Sequence, residues 1–285
     1  MKKRILITGK NGYVGKRLYR FLESKGYIVD TINVRDRGWK VEDFSKYNIL
    51  IHLAAIVHNN TPNAKMIDFM NVNYHLTKEL AEKAKNEGVK QFIFFSTMSV
   101  FGLEGEIGKK VVINKDTKKV PRNAYGISKL CAEEMLSKIH SNDFKVAIVR
   151  PPMIYGRQAP GNFDKLIKVS KILQFYPAIY NERSSIYIEN LEIYIQKLIE
   201  NQDSGTFHPQ NHYYLNTNDA ISKMRDLKNK RTIIIKMPKF ILKFSSKLSL
   251  LNKLYGNLTY SLNIDDVNYN DQFIDETESY IRTVK

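Results

Sequence analysis

The sequence predicts an α/β fold, a doubly wound parallel sheet with a smaller, discontinuous C-terminal portion, and three observations predict it. Short apolar, β-prone runs alternate with longer helical patterns through the first half of the 285 residues, the signature of βαβ units. The runs are almost continuously apolar, so both faces of the sheet must be covered. After Pro151-Pro152 the alternation loosens into shorter pieces with loops at 158–162 and 209–212. A hydrophobic content of 43% excludes disorder as the main state. The single cysteine, Cys131, excludes a disulfide scaffold. Ile5-Leu6-Ile7 after Met1-Lys2-Lys3-Arg4 is too short for a secretory apolar region, and no run of about 18 apolar residues follows. A cytoplasmic protein is expected.

Strands are expected at 4–8, 27–33, 49–53, 91–96 and 146–150. Between them, Val14, Leu18, Phe21 and Leu22 recur at helical spacing in 13–24, as do Met70, Val72, Leu76, Leu80, Ala81 and Ala84 in 66–86. Gly26 and Gly88 stand where left-handed caps end helices. The expected division is a dinucleotide-binding domain at 1–156, to which parts of 185–236 return, and a mainly substrate-binding portion at 157–285.

The first strand runs into Thr8-Gly9-Lys10-Asn11-Gly12-Tyr13-Val14-Gly15 and then a helix. Glycines at such a bend let the backbone approach a pyrophosphate, and the helix N-terminus favours the anion. The second strand should end on the residue that reads the adenosine ribose, about 20 positions further on. Asn33 stands there, followed by Arg35 and Arg37, with Lys10 a second candidate for phosphate. A neutral side chain beside guanidinium groups accommodates a 2′-phosphate, so NADP(H) is preferred, with NAD(H) the alternative.

Tyr125-Gly126-Ile127-Ser128-Lys129 opens a further helical pattern. Tyr and Lys four apart share a helix face, where an ammonium lowers the phenol's pKa and fits it for acid/base work. Upstream, Phe94-Phe95-Ser96-Thr97-Met98-Ser99-Val100-Phe101-Gly102 leaves an apolar strand for hydroxyl residues at its C-terminal end, the usual mouth of such sheets.

With the glycine loop, Leu53-Ala54-Ala55, Asn73 to Thr77 and Arg150-Pro151-Pro152-Met153-Ile154-Tyr155-Gly156, the chain from residue 4 to about 200 resembles the extended short-chain dehydrogenase/reductases of the NAD-dependent epimerase/dehydratase family. The resemblance implies a Rossmann-like fold, Tyr125 as acid/base, Lys129 as its partner and Thr97 as the catalytic hydroxyl. It implies cofactor contacts from Gly9, Asn11, Gly12, Tyr13, Val14, Gly15, Asn33, Arg35, Leu53, Ala54, Ala55, Tyr125 and Lys129. Phe101 replaces the family's usual Tyr. The family's dehydratases carry Thr-Asp-Glu where this chain has Thr97-Met98-Ser99, so the acids that remove water are missing. Asn162 resembles the family's substrate amide, and Arg183, five positions before Ile188, its diphosphate contact. The pattern, with His52, His58-Asn59-Asn60 and His208, is similar to capsule and O-antigen enzymes that reduce or epimerise C4 of UDP-N-acetyl-dideoxyhexoses. The function implied is NAD(P)H-dependent reduction of the C4 ketone of a UDP-linked N-acetyl-4-keto-6-deoxyhexose for surface polysaccharide. A UDP-sugar 4-epimerase and a non-catalytic dinucleotide-binding sensor or adaptor are the alternatives.

His52, His58 and His208 lack metal-ligand spacing, and no metal is expected. Cys131 reads as a buried inert thiol. The net charge of +16 concentrates between Ile221 and Tyr260, with ten Lys and Arg against one acid. In 238–255, Phe240, Ile241, Phe244, Leu248, Leu251 and Tyr255 form one stripe and Lys239, Lys243 and Lys247 another, which fits a core-facing helix or a peripheral membrane or partner contact. No aromatic-interleaved basic motif points to nucleic acid. The expected partner is a UDP-sugar, and a homodimer is left open.

Overall fold

The computed structural model describes residues 3–57, 65–236, 249–267 and 269–284, with the backbone alone at 162, 249 and 250. Along the chain β1 (Arg4–Thr8), α1 (Tyr13–Ser24), β2 (Ile28–Ile32) and β3 (Ile49–His52) precede α2 (Met66–Phe69), a π-helical turn (Met70–His75) and α3 (Leu76–Asn86). Next come β4 (Gln91–Phe95), β5 (Val112–Ile113), α4 (Ala124–Ile139), β6 (Lys145–Val149) and β7 (Met153–Tyr155). Then follow α5 (Asn162–Ile172), β8 (Phe175–Pro177), β9 (Ser185–Tyr187), α6 (Ile188–Asn201), β10 (Gly205–Phe207), α7 (Thr217–Asp226) and β11 (Ile233–Ile235). The helices Ser249–Tyr255 and Glu276–Val284 flank β12 (Thr259–Tyr260).

Two compact units share the chain. The first comprises residues 1–102, 118–151 and 192–209; the second comprises 103–117, 152–191 and 210–285. The first is built on a six-stranded parallel sheet in the order β10-β6-β4-β3-β1-β2. Parity of the side chains explains its burial on both faces. Leu6, Leu50, Phe92, Phe94 and Ile148 meet Leu80, Ala81 and Ala84 of α3 and Ala132 and Leu136 of α4. The alternate residues Ile5, Ile7, Ile49, Ile51, Ile93 and Val149 are buried on the opposite face. There Gln91 Nε2 donates to the Leu198 carbonyl of α6 at 2.9 Å, and Arg17 of α1 pairs with Glu192 of α6 at 2.8 Å.

The register places the working end. Thr8 lies opposite His52, His52 opposite Phe94 and Phe94 opposite Ile148, so four parallel strands release their loops along one edge. The sheet turns direction between β1 and β3, the place where doubly wound sheets open a crevice. The expected strands and the first helix form within a residue of their expected ends. The 66–86 helix is interrupted by the π turn, which adds a residue to one turn and puts Asn73 inside.

The second unit pairs β7 with β9, β8 with β11 and β5 with β12, each pair parallel. Its core gathers Tyr155, Phe163, Tyr187 and Tyr280, and the Tyr155 hydroxyl lies 2.7 Å from both Ser279 Oγ and Tyr213 Oη. Residues 238–248, which carry the basic stripe read from the sequence, and His58-Asn59-Asn60 lie outside the described residues. Among the described residues no helix is long and apolar enough to cross a membrane.

Candidate active site

The loop after β1 is packed so closely at Gly9 and Gly15 that a side chain fits at neither position. Gly9 adopts φ +74°, and a Cβ there would lie 2.7 Å from the Ala54 nitrogen. At Gly15, in the first turn of α1, a Cβ would lie 2.4 Å from the Gly9 carbonyl oxygen. Two backbone segments therefore close on each other beside the helix N-terminus, where free N–H groups favour an anion. Leu53 and Ala54 donate to Thr8 Oγ1 at 3.1 and 3.2 Å, fixing the second loop to the first.

Behind this cradle runs a buried chain of hydrogen bonds. Thr8 already accepts those two N–H groups, so its hydroxyl donates to His52 Nδ1 at 2.7 Å. His52 Nε2 then carries the proton and donates to Thr77 Oγ1 at 2.9 Å, and the Thr77 hydroxyl donates to the Asn73 carbonyl at 2.9 Å. Burial, followed by the nearby Lys129 charge, pushes His52 down to about 3, which keeps the ring neutral. Asn73 closes the network: its Oδ1 accepts from Ile56 N at 2.9 Å, and its Nδ2 donates to Ser128 Oγ at 3.0 Å, which donates to the Tyr125 carbonyl at 2.9 Å.

Asn123 starts α4, its side chain accepting from Gly126 N at 2.8 Å, so Tyr125 falls in the first turn. There the helix dipole favours a phenolate. A Cβ at Gly126 would lie 2.7 Å from the Ser99 carbonyl; its absence lets the turn seat against the 3₁₀ turn Met98–Phe101, which Thr97 caps. Thr97 and Tyr125 meet there. Burial pushes the Tyr125 phenol up to about 12, and the Thr97 hydrogen bond pulls against this. Lys129, one turn on, is buried and donates from Nζ to the Phe95 carbonyl at the end of β4, 2.7 Å away. Its ammonium also lies 4.4 Å from the centre of the Phe94 ring. Burial pushes it down to about 7, against the raising effect of Glu133.

Glu133 is one residue that the sequence reading missed. It sits a further turn along α4, accepts from Ser96 Oγ, and receives Arg150 Nε at 2.9 Å and Nη2 at 2.5 Å. Arg150 also reaches His208 Nε2 at 3.3 Å and lies 5.3 Å from the centre of the Phe101 ring. The available signal was the acid pair Glu133-Glu134 within an apolar stretch, between Ala132 and Met135. Asp36 was also missed. Its carboxylate accepts from Asn33 Nδ2 at 2.8 Å and Gly38 N at 3.0 Å, so an acid stands in the turn after β2, between exposed Arg35 and Arg37.

The first unit thus brings together the glycine loop, Leu53 and Ala54, Thr97, Tyr125 and Lys129. The two residues expected at the substrate alone, Asn162 and Arg183, belong to the second unit. There Arg183 donates from Nη1 to the Gly256 and Asn252 carbonyls at 2.9 and 3.3 Å, and burial lowers its pKa. Asn162 opens α5, and its side chain lies outside what is described. Cys131 is half-buried, and burial raises its thiol pKa. Among the described residues no group of three or more His, Cys, Asp or Glu could hold a metal ion.

A sequence model described as the NAD dependent epimerase/dehydratase family matches residues 5–192. The chain belongs to that family. It is 28% identical over 291 residues to a UDP-glucose 4-epimerase of Vibrio cholerae, covering 93% of this chain and 88% of that one. It is 24% identical over 259 residues to the N-acetyl-alpha-D-glucosaminyl-diphospho-ditrans,octacis-undecaprenol 4-epimerase of Escherichia coli O157:H7, covering 84% and 76%. Two solved structures share the family fold at a TM-score of 0.72: UDP-glucuronic acid 4-epimerase from Bacillus cereus with NAD, 19% identical over 99% of this chain and 97% of that one, and RMD from Pseudomonas aeruginosa with NADPH, 18% identical over 99% and 98%. The family resemblance and Rossmann-like sheet read from the sequence are both borne out.

Proposed function

We propose that this family member reduces the C4 ketone of a UDP-linked N-acetyl-4-keto-6-deoxyhexose, a step toward surface polysaccharide, with NADP(H) as cofactor. The observation that carries the reading is the Thr97, Tyr125 and Lys129 set at the mouth of β4, with Met98 and Ser99 beside it in place of an acid pair. An elimination needs an acid and a base at the sugar; a thioether and a hydroxyl supply neither, which leaves redox chemistry at C4.

The glycine loop would hold the pyrophosphate, Asn33 and Arg35 the adenosine ribose, and Leu53 to Ala55 the wall beside it. When bound, the nicotinamide supplies the hydride. Tyr125, held protonated by burial, donates its phenolic proton to the substrate oxygen as the ketone becomes a hydroxyl. The first turn of α4 and Lys129 stabilise the resulting phenolate until solvent returns the proton. Thr97 hydrogen-bonds the same oxygen and fixes its distance from Tyr125. Arg183 is proposed for the diphosphate and Asn162 for the sugar.

Two observations support other readings. Both relatives named above are 4-epimerases, which favours epimerisation of a UDP-sugar as the second reading. Asp36 beside Asn33 opposes a 2′-phosphate and favours NAD(H), whereas Arg35 and Arg37 favour NADP(H). One experiment separates the reactions. The purified protein is offered 4-keto UDP-sugars with NADPH or NADH, and UDP-N-acetylhexosamines with no added cofactor. Consumption of NADPH with the ketones supports the reductase; C4 epimers formed without added cofactor overturn it.

A further inference from the structure

The second unit carries a surface that this chemistry does not use. β8 and β11 pair with Phe175 opposite Ile233 and Pro177 opposite Ile235, so these four side chains share one face of a two-stranded ribbon. Phe175 is 56% exposed and Ile235 47%, and Ile172, at the end of α5 just before the ribbon, is 81% exposed. Single exposed apolar residues are ordinary, but here they gather on one ribbon and the turn entering it.

The platform is built rather than frayed. Buried Arg225 donates to the Ser170 and Leu173 carbonyls at 2.6 Å and to the Arg231 carbonyl at 2.7 Å, tying the two segments together. Lys230 adds a bond to the Lys171 carbonyl at 3.1 Å. The exposed charges are one-sided: Lys171, Lys228, Lys230, Arg231 and Lys236 stand in 171–180 and 226–236 against a single acid, Asp226.

We propose that this face docks on an anionic lipid bilayer. Phe175, Ile172 and Ile235 enter the interface while the cations meet lipid phosphates, the pairing that holds peripheral proteins on charged membranes. Charge selects this occupant over a second copy of the chain, because a symmetric contact would set the same cations against each other.

Vesicle flotation of the full chain tests it, with phosphatidylcholine alone and with about 30% phosphatidylglycerol. Binding is expected only to the anionic vesicles and to weaken with salt. Each neutralised cation should cost about fivefold, so Lys228→Gln/Lys230→Gln/Arg231→Gln should bind roughly a hundredfold more weakly. Phe175→Ser/Ile235→Ser should bind at least about tenfold more weakly while keeping every charge. Circular dichroism melts confirm that each variant is folded. Absence of binding by folded wild type, equal binding to both vesicle types, or unchanged binding by both variants overturns the proposal. So does a dimer in light scattering that Phe175→Ser/Ile235→Ser dissolves.

Discussion

Glu133→Gln keeps the shape of a side chain and removes one buried charge. In the folded protein Glu133 and Arg150 are 3% and 8% exposed at their side chains, and the carboxylate takes both Arg150 donors and the Ser96 hydroxyl. Glutamine offers one oxygen and turns an NH₂ toward the other donor, so Arg150 is left under-paired away from water. Breaking a buried pair this way costs about 3–5 kcal/mol. For a chain of this length that lowers the melting temperature by roughly 6–10 °C. Differential scanning calorimetry of the cofactor-free protein measures it. The charge has a second effect, since Glu133 opposes the fall that burial imposes on Lys129. Without it Lys129 drops below about 7, and the high-pH limb of kcat/KM should move to lower pH, because the ammonium is lost sooner as pH rises. A stability loss under about 1 kcal/mol together with an unmoved limb would refute this account of the network.

Gly15→Ala places a methyl 2.4 Å from the Gly9 carbonyl, so a cofactor fluorescence titration should show affinity lost by about tenfold or more while the fold persists. Asp36→Asn should shift the kinetic preference toward NADPH, and Arg35→Ala or Asn33→Asp toward NADH, by about 10-fold or more each in cofactor kcat/KM ratios. His52 supplies a pH test. Its folded pKa of about 3 lies below the unfolded value, so the unfolded chain takes the proton first and stability falls as pH drops from about 6.5 to 3. Urea titrations across that window should show a loss on the order of 4 kcal/mol that is smaller in His52→Leu.

The parallel sheet was legible because its inner strands β1, β3, β4 and β6 are largely apolar on both faces, and the glycine loop because its spacing answers a steric demand now visible at Gly9 and Gly15. Tyr125 and Lys129 were legible through helical spacing. The π turn was not, since Met70, Val72 and Leu76 continue an ordinary helical pattern and only tertiary contact pulls Asn73 inward. Glu133 and Arg150 are 17 residues apart, and no local pattern announces that α4 and the end of β6 bring them together. Asp36 escaped because Arg35 and Arg37 on either side of it make the segment read as cationic, whereas the turn folds back and joins the Asn33 and Asp36 side chains. Residues 103–117 group with the second unit through β5 and β12, a two-residue pairing too short to read from sequence.

Tyr125 is proposed to give the proton in a C4 ketone reduction. The direct measurement is NADPH oxidation, followed by absorbance, with a UDP-linked N-acetyl-4-keto-6-deoxyhexose, for wild type and Tyr125→Phe. Wild type should turn over and the variant should lose about 10²–10⁴-fold, with cofactor affinity held within about twofold. A variant as fast as wild type would contradict it, as would a wild-type protein that ignores every 4-keto sugar nucleotide.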